Sequence, residues 1–219
     1  MPAGKLYKYT GTAKDRDQDK KIQNLNKRLT RVSRLINFDY QFYDSYVSWS
    51  VDVAGDEVQH LTAIAEGTSE NDRVGEQIRL LSCEGKLQIH MANSEVTLDD
   101  RSFVRMVLVL DKQANNTAVT NMSDVIENDA GTTSPYDPIN YSNRKRFKIL
   151  KDFYFSMDNA KNHSKAIQFK YRFKSPPQIT YKASAAAVPN KNALYLMAVS
   201  SNTTNPPSVV GTVRVAFSP

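Results

Sequence analysis

Two runs of alternating apolar residues, held apart by about thirty mostly polar ones, constrain this chain more than any other feature. The first is SFVRMVLVLDKQ, Ser102 to Gln113, and the second is NRKRFKILKDFYFSM, Asn143 to Met157. In the first, Val104, Met106, Leu108 and Leu110 fall on one side of an extended chain, with Val107 and Val109 on the other. In the second, Phe147, Ile149, Phe153, Phe155 and Met157 keep a spacing of two. A period of two belongs to a strand, whose side chains point alternately to opposite faces. The connection is too long for a hairpin turn, and connections of this length in compact domains usually carry function. Two core strands joined in this way require a sandwich that can absorb a long surface excursion.

The same rhythm continues from residue 41 to the end. It predicts eight strands, at 41–53, 77–91, 103–111, 147–157, 166–174, 178–183, 193–200 and 209–217. Ile167, Phe169, Tyr171 and Phe173 oppose Gln168, Lys170 and Arg172 in the cleanest alternation of the chain. The run from Gln77 to Met91 changes face near Leu80–Leu81, which a bulge or kink near Gly85 would explain. His60 to Gly75 reads as a loop, and Ser123 to Asn128 as a turn with Ser123 at its N-cap. Eight strands, long loops and no intervening helix predict an all-β, eight-stranded jelly-roll sandwich over residues 40–219, built of two four-stranded antiparallel sheets. An immunoglobulin-like sandwich would show about seven shorter strands with turn signals every 8–12 residues, and the 113–143 connection argues against it.

Residues 1–39 read differently. No glycine or proline occurs between Thr12 and Ala54. Ile22, Leu25, Leu29, Val32 and Ile36 recur at spacings of three and four, the a/d seam of a helix over about 17–36. Asp15, Asp17 and Asp19 near its start and Arg28, Arg31 and Arg34 near its end suit the helix dipole. A helix of about twenty residues is marginal alone in water. The seam therefore needs a partner, either the domain body or the same helix from other subunits, and self-association is preferred. Residues 1–40 hold ten cations: Lys5, Lys8, Lys14, Arg16, Lys20, Lys21, Lys27, Arg28, Arg31 and Arg34. Against these stand Asp15, Asp17, Asp19 and Asp39, so the segment carries the whole formal charge of +6. The remainder, with 19 basic and 19 acidic groups, is neutral. A basic helical arm on a neutral body predicts contact with a polyanion, the ten cations meeting phosphate.

Several chemistries lack support. No apolar run approaches the ~18 residues of a membrane span. MPAGKLYKYTGT lacks the apolar segment of a signal peptide, so secretion is not expected. The single cysteine, Cys83, cannot support an internal disulfide framework and reads as a small buried residue. His60, His90 and His163 stand far apart, without the paired histidines and glutamate of a cupin metal site. No GxSxG, HExxH, Walker A or GxGxxG pattern occurs. No catalytic residue, cofactor or metal site is therefore predicted. Asp99, Asp100, Asp52, Asp56 and Glu57 are of the type that binds a hard cation such as calcium, yet read as solvated loop acids. Asn-x-Ser/Thr sequences at Asn115, Asn121, Asn162 and Asn202 read as polar loops.

The opening stretch also carries a resemblance. MVLVLDKQANNTAVTNMSDVIEN followed by YDPINYSNRKRFKILKD resembles a block of single jelly-roll icosahedral viral capsid proteins. That group includes the capsids of circular Rep-encoding single-stranded DNA viruses and the coat protein of satellite tobacco necrosis virus. The shared features are a strand ending in Asp111, a polar loop, a Val-Ile-Glu-Asn turn, a loop with Pro135 and Pro138, and the basic-aromatic run Arg144 to Asp152. Gly67, Thr68, Arg73, Gly75 and Ile78 are similar to a glycine-bounded loop upstream of the second strand. The resemblance spans 60–157; beyond Ser164 only the strand rhythm agrees.

The resemblance implies a structural coat protein, not an enzyme, that self-assembles into a T=1 icosahedral shell of about sixty copies. Its place would be the virion, with assembly in the host nucleus or cytoplasm and no membrane partner. Its arms would meet at threefold axes and hold the viral genome, single-stranded DNA in preference to RNA. Many DNA-virus relatives carry a longer, arginine-dense N-terminus, whereas this arm mixes lysine with arginine and includes acids. A lectin-like or cytokine-like jelly-roll oligomer is the rival reading. Aromatic clusters in loops would mark it, but the one tryptophan, Trp49, falls on a predicted strand. The run Arg144, Lys145, Arg146 reads as a subunit contact or solvated surface ahead of an import signal.

Overall fold

The computed structural model describes residues 13–35, 40–91, 101–128, 132–158, 162–183 and 187–219. The chain divides into two compact units between Asp39 and Tyr40. The described part of the first is one helix, α1 (Ala13–Leu35), which begins earlier than the apolar spacing alone suggests. Acidic residues early in the helix sequence, Asp15, Asp17 and Asp19, suit the positive end of its dipole.

Ten strands form among the described residues of the second unit. They are β1 (Gln41–Ser50), β2 (Glu57–His60), β3 (Gln77–His90), β4 (Arg101–Asp111), β5 (Phe147–Asp158), β6 (Ser164–Arg172), β7 (Gln178–Tyr181), β8 (Pro189–Lys191), β9 (Ala193–Ser200) and β10 (Ser208–Ser218). One sheet runs β1-β10-β3-β7-β8 with β6 also on β3, and the other runs β2-β9-β4-β5. Every pair of strands is antiparallel. The fold is the all-β jelly-roll sandwich expected from the sequence, with a different count. β6 pairs Ser82–His90 of β3 and β7 pairs Gln77–Arg79, so both lie along one edge of β3. Pro176-Pro177 interrupts that edge because proline donates no ladder hydrogen bond. Counted as one strand, β6 and β7 complete a four-stranded order, to which β8 adds three residues. β2, inside the segment read as connection, completes the other sheet through β9. The chain thus passes back and forth between the sheets, as a jelly roll does.

The main core lies between the sheets. Val47, Leu80, Leu87, Ile89, Met106, Leu108, Leu196, Val213 and Phe217 are among its buried members. A second core lies on the far side of the four-stranded sheet. There Val107, Val109, Tyr195, Met197 and Val199 meet Val119, Met122, Val125 and Ile126 of the long connection. The connection between β4 and β5 is therefore a packed third layer, not a free surface excursion. Buried aliphatic side chains contribute about 1.5–3 kcal/mol each, enough to fix it. Burial on both faces explains why β4 and β9 read as nearly continuous apolar runs. Within this layer a 3₁₀ turn spans Met122–Asp124, and its N-cap is Asn121, not Ser123. The Asn121 side chain accepts from the Ser123 N–H at 2.8 Å.

Two bulges re-aim the strands. The register of β3 against β10 shifts where Ala216 faces Ser82 and Phe217 faces Leu80, leaving Leu81 as the extra residue. Ile78 and Leu80 before it, and Cys83, Leu87 and Ile89 after it, all enter the same core. Gly85 is not the kink: it lies in regular pairing opposite Phe169. The second shift, between Leu108 and Val109 on β4, leaves Leu150 as the extra residue of β5. Phe147 and Ile149 consequently join the outer core, while Phe153, Phe155 and Met157 join the inner one.

Candidate nucleic-acid interface

Helix α1 carries eight of the ten cations predicted to meet phosphate. Lys20, Lys21, Lys27 and Arg28 are exposed. Lys21 and Asp17 approach to 3.8 Å one helical turn apart, a solvated pair of small energetic consequence. Lys14, Arg16, Arg31 and Arg34 lie on the helix, but their side chains are outside the described residues, as are Lys5 and Lys8 entirely. Among the apolar seam residues, Ile22 and Leu25 are 55% and 63% exposed. Leu29 and Val32 lie on the helix with side chains outside the described residues, and Ile36 lies outside altogether. The described stretch is thus a helix presenting cations beside uncovered apolar side chains.

In the second unit, two buried arginines, Arg73 and Arg105, and the partly exposed Arg146 hold the long loops, a role not expected from the sequence. Arg73 is fully buried. Its Nε donates to the Ile64 carbonyl at 3.1 Å and its Nη2 to the Ala183 carbonyl at 3.1 Å. Its Nη1 donates to the Gly75 carbonyl and lies 3.4 Å from a Glu66 carboxylate oxygen. The guanidinium sits 4.0 Å above the Tyr181 ring, and burial pushes the Tyr181 hydroxyl pKa upward. Arg105 forks onto Asp152 and donates to the Asp137 carbonyl. Arg146 forks onto Asp111 at 3.0 and 2.7 Å, and Asp111 also accepts from the Gln113 N–H at 2.9 Å. Arg146 therefore closes both ends of the long connection, while Arg144 stacks 3.7 Å over the Tyr141 ring.

Asp52, Asp56 and Glu57 converge, with ligand oxygens within 4.8 Å of one another. Burial, then the adjacent Asp56 and Asp52, push the Glu57 carboxyl up to about 8. His60 stacks on Tyr195 with ring centroids 4.5 Å apart, and its Nε2 lies 3.1 Å from Thr62 Oγ1. Burial depresses its imidazole to about 4 despite the attraction of Asp111. Cys83 is buried, as its apolar setting suggested, and burial pushes its thiol up to about 12.

The family model described as satellite tobacco necrosis virus coat protein matches residues 41–217. No curated protein matches the chain. Among solved structures, that of Desmodium yellow mottle tymovirus is similar at 10% identity and TM-score 0.33, covering 81% of this chain and 86% of its own. The 60-mer BFDV capsid protein is similar at 10% identity and TM-score 0.27, covering 84% and 83%. The structure of deformed wing virus, a honeybee pathogen, is similar at 12% identity and TM-score 0.24, covering 82% and 76%.

Proposed function

The chain belongs to the satellite tobacco necrosis virus coat protein family, and we propose that it is a structural capsid subunit that packages nucleic acid through its N-terminal arm. The jelly roll of residues 40–219 forms the shell of the virion, about sixty copies in a T=1 icosahedron. Residues 1–39 form the arm. The observation that carries this reading is the segregation of charge: the entire net +6 lies in residues 1–40. The second unit, being neutral, has no overall attraction for a polyanion.

The mechanism is electrostatic. Each arm cation that meets a phosphate releases condensed counterions, so binding is entropy-driven, steeply salt-dependent and indifferent to base sequence. Sixty arms of ten cations could neutralise on the order of several hundred phosphates. Ile22, Leu25, Leu29, Val32 and Ile36 would join arms from neighbouring subunits, covering the exposed Ile22 and Leu25. The cargo is the viral genome, single-stranded DNA in preference to RNA. Deleting residues 1–36 tests the assignment: particles of the shortened chain should retain their β circular dichroism and lose nucleic acid. Unchanged nucleic-acid content in those particles would overturn it.

A further inference from the structure

The outward face of the six-stranded sheet has chemistry that a merely solvated sheet face does not require. Four strands place their outward residues in straight rows. Tyr46 pairs with Thr212, Thr212 with Lys86, and Lys86 with Gln168. Two residues along, Asp44, Arg214, Glu84 and Lys170 form the next row. This row is internally tied: Arg214 forks onto Asp44 at 2.7 Å by both nitrogens, and Lys170 reaches Glu84 at 2.5 Å. The row beyond runs from Phe42 through Ala216 and Ser82 to Arg172.

Two kinds of group are left over. Phe42 and Tyr46 are 44% and 69% exposed. They sit on β1, two rows apart and pointing the same way. Lys86 and Arg172 are exposed on β3 and β6, and no ion pair among the described residues includes either. These three rows carry four cations against two carboxylates; Lys86 and Arg172 form no direct ion pair, and Lys86 lies within electrostatic reach of Glu84. The surface dips beside Tyr46 and Lys86 and again over the charged row, where the paired Asp44, Arg214, Glu84 and Lys170 line the floor. A depression of about 620 Å³ touches Lys86 and Gln168, and a second of about 480 Å³ beside Tyr46 touches the same two residues. Small side chains, Thr212, Val210 and Ala166, line them.

We infer that this face is a second contact for single-stranded nucleic acid, separate from the arm, with Tyr46 and Phe42 stacking on bases and Lys86 and Arg172 meeting the backbone. The identity of the ligand rests on the packaging reading above. Exposed rings flanking a positively charged trough are the recurring platform for single strands, because every base offers a stacking face and every nucleotide a phosphate. A protein partner would favour an apolar centre without charge, whereas here a charged row crosses the middle. Duplex is disfavoured because its bases are already stacked and cannot reach the rings.

The test uses the full chain and oligo(dT) and oligo(U) probes of about thirty nucleotides, with anisotropy measured across a salt series. Lys86→Ala with Arg172→Ala should lower the salt slope by about 1.4, or roughly 0.7 per cation on a single strand. Tyr46→Ala should weaken binding about tenfold at every salt concentration, and ultraviolet crosslinking of the parent should attach the probe to the peptide carrying Phe42 or Tyr46. All four side chains are exposed, so unchanged thermal midpoints accompany these losses. An arm variant with Lys20, Lys21, Lys27 and Arg28 all changed to alanine separates the two claims. If it loses binding while the face variants match the parent, the sheet contact is refuted and the arm stands. If the face variants lose binding and the arm variant does not, the arm assignment fails and the sheet contact stands. Face variants that bind normally but no longer self-associate would make this a contact between copies, and the inference would be wrong.

Discussion

Arg105 on β4 and Asp152 on β5 form a two-pronged ion pair across the four-stranded sheet, with Nε–Oδ1 at 3.0 Å and Nη2–Oδ2 at 2.9 Å. The remaining nitrogen, Nη1, donates to the Asp137 carbonyl at 2.6 Å. One guanidinium thus fastens two strands and the layer that covers them. Arg105→Ala strands the half-buried Asp152 carboxylate and frees the Asp137 carbonyl, at a cost of about 2–4 kcal/mol by urea unfolding. Faster proteolysis within 132–141 should accompany it. Lysine should restore less than half of the loss, because a point charge cannot fork.

Gly85 and Phe169 share one space in the core. A Cβ on Gly85 would stand 2.3 Å from the Phe169 ring. Gly85→Ala should therefore cost about 1–3 kcal/mol by forcing the ring off its rotamer. Phe169→Leu removes the obstructing ring, so the double variant should be more stable than the sum of the single losses predicts. Thermal unfolding of the four proteins measures the coupling.

His60 makes the fold acid-sensitive. Its folded pKa, depressed to about 4, lies below the ordinary 6.5. The unfolded chain therefore takes up the proton first, and stability present above pH 6.5 falls as the pH drops toward 4. The full loss is on the order of 3 kcal/mol. His60→Phe keeps a ring against Tyr195 and should flatten unfolding free energy over that window.

Glu57 acts with the opposite sign. Its folded pKa is raised to about 8 from 4.5. Stability is fully present below pH 4.5 and declines as the pH rises toward 8, because ionisation is easier in the unfolded chain. Glu57→Gln should stabilise the protein at pH 8 by about 1 kcal/mol, the partial exposure of the group screening the rest. At pH 4.5 it should change little, and paired thermal melts at the two values read the difference.

The parts of the fold that bury apolar surface left their period in the sequence. β4 and β9 were legible because both of their faces are covered, and α1 because its seam recurs every three or four residues. β2 was not, since Glu57–His60 offers a single aliphatic residue, Val58. Pro176-Pro177 looks like the end of one strand and the start of another, although β6 and β7 share an edge. The gap at Lys151 in the alternation of β5 marks a change of face at Leu150, which period alone cannot distinguish from a lapse. The clustering of Asp52, Asp56 and Glu57 was visible along the chain, but the burial that perturbs Glu57 was not. Arg73, Arg105 and Arg146 were invisible as anchors, because an arginine's partners are set by tertiary contact. The rings and surplus cations of the six-stranded sheet became a surface only once β1, β10, β3 and β6 lay side by side.

We propose that this chain builds a shell around nucleic acid. Size-exclusion chromatography of the purified 219-residue chain, with negative-stain imaging and the absorbance ratio at 260 over 280 nm, tests this. Sixty chains of 24.7 kDa predict spheres with about 1.5 MDa of protein, a nucleic-acid-rich absorbance ratio, and loss of cargo as salt is raised. A monomer-to-trimer species free of nucleic acid under all assembly conditions would rule out a nucleic-acid-filled shell.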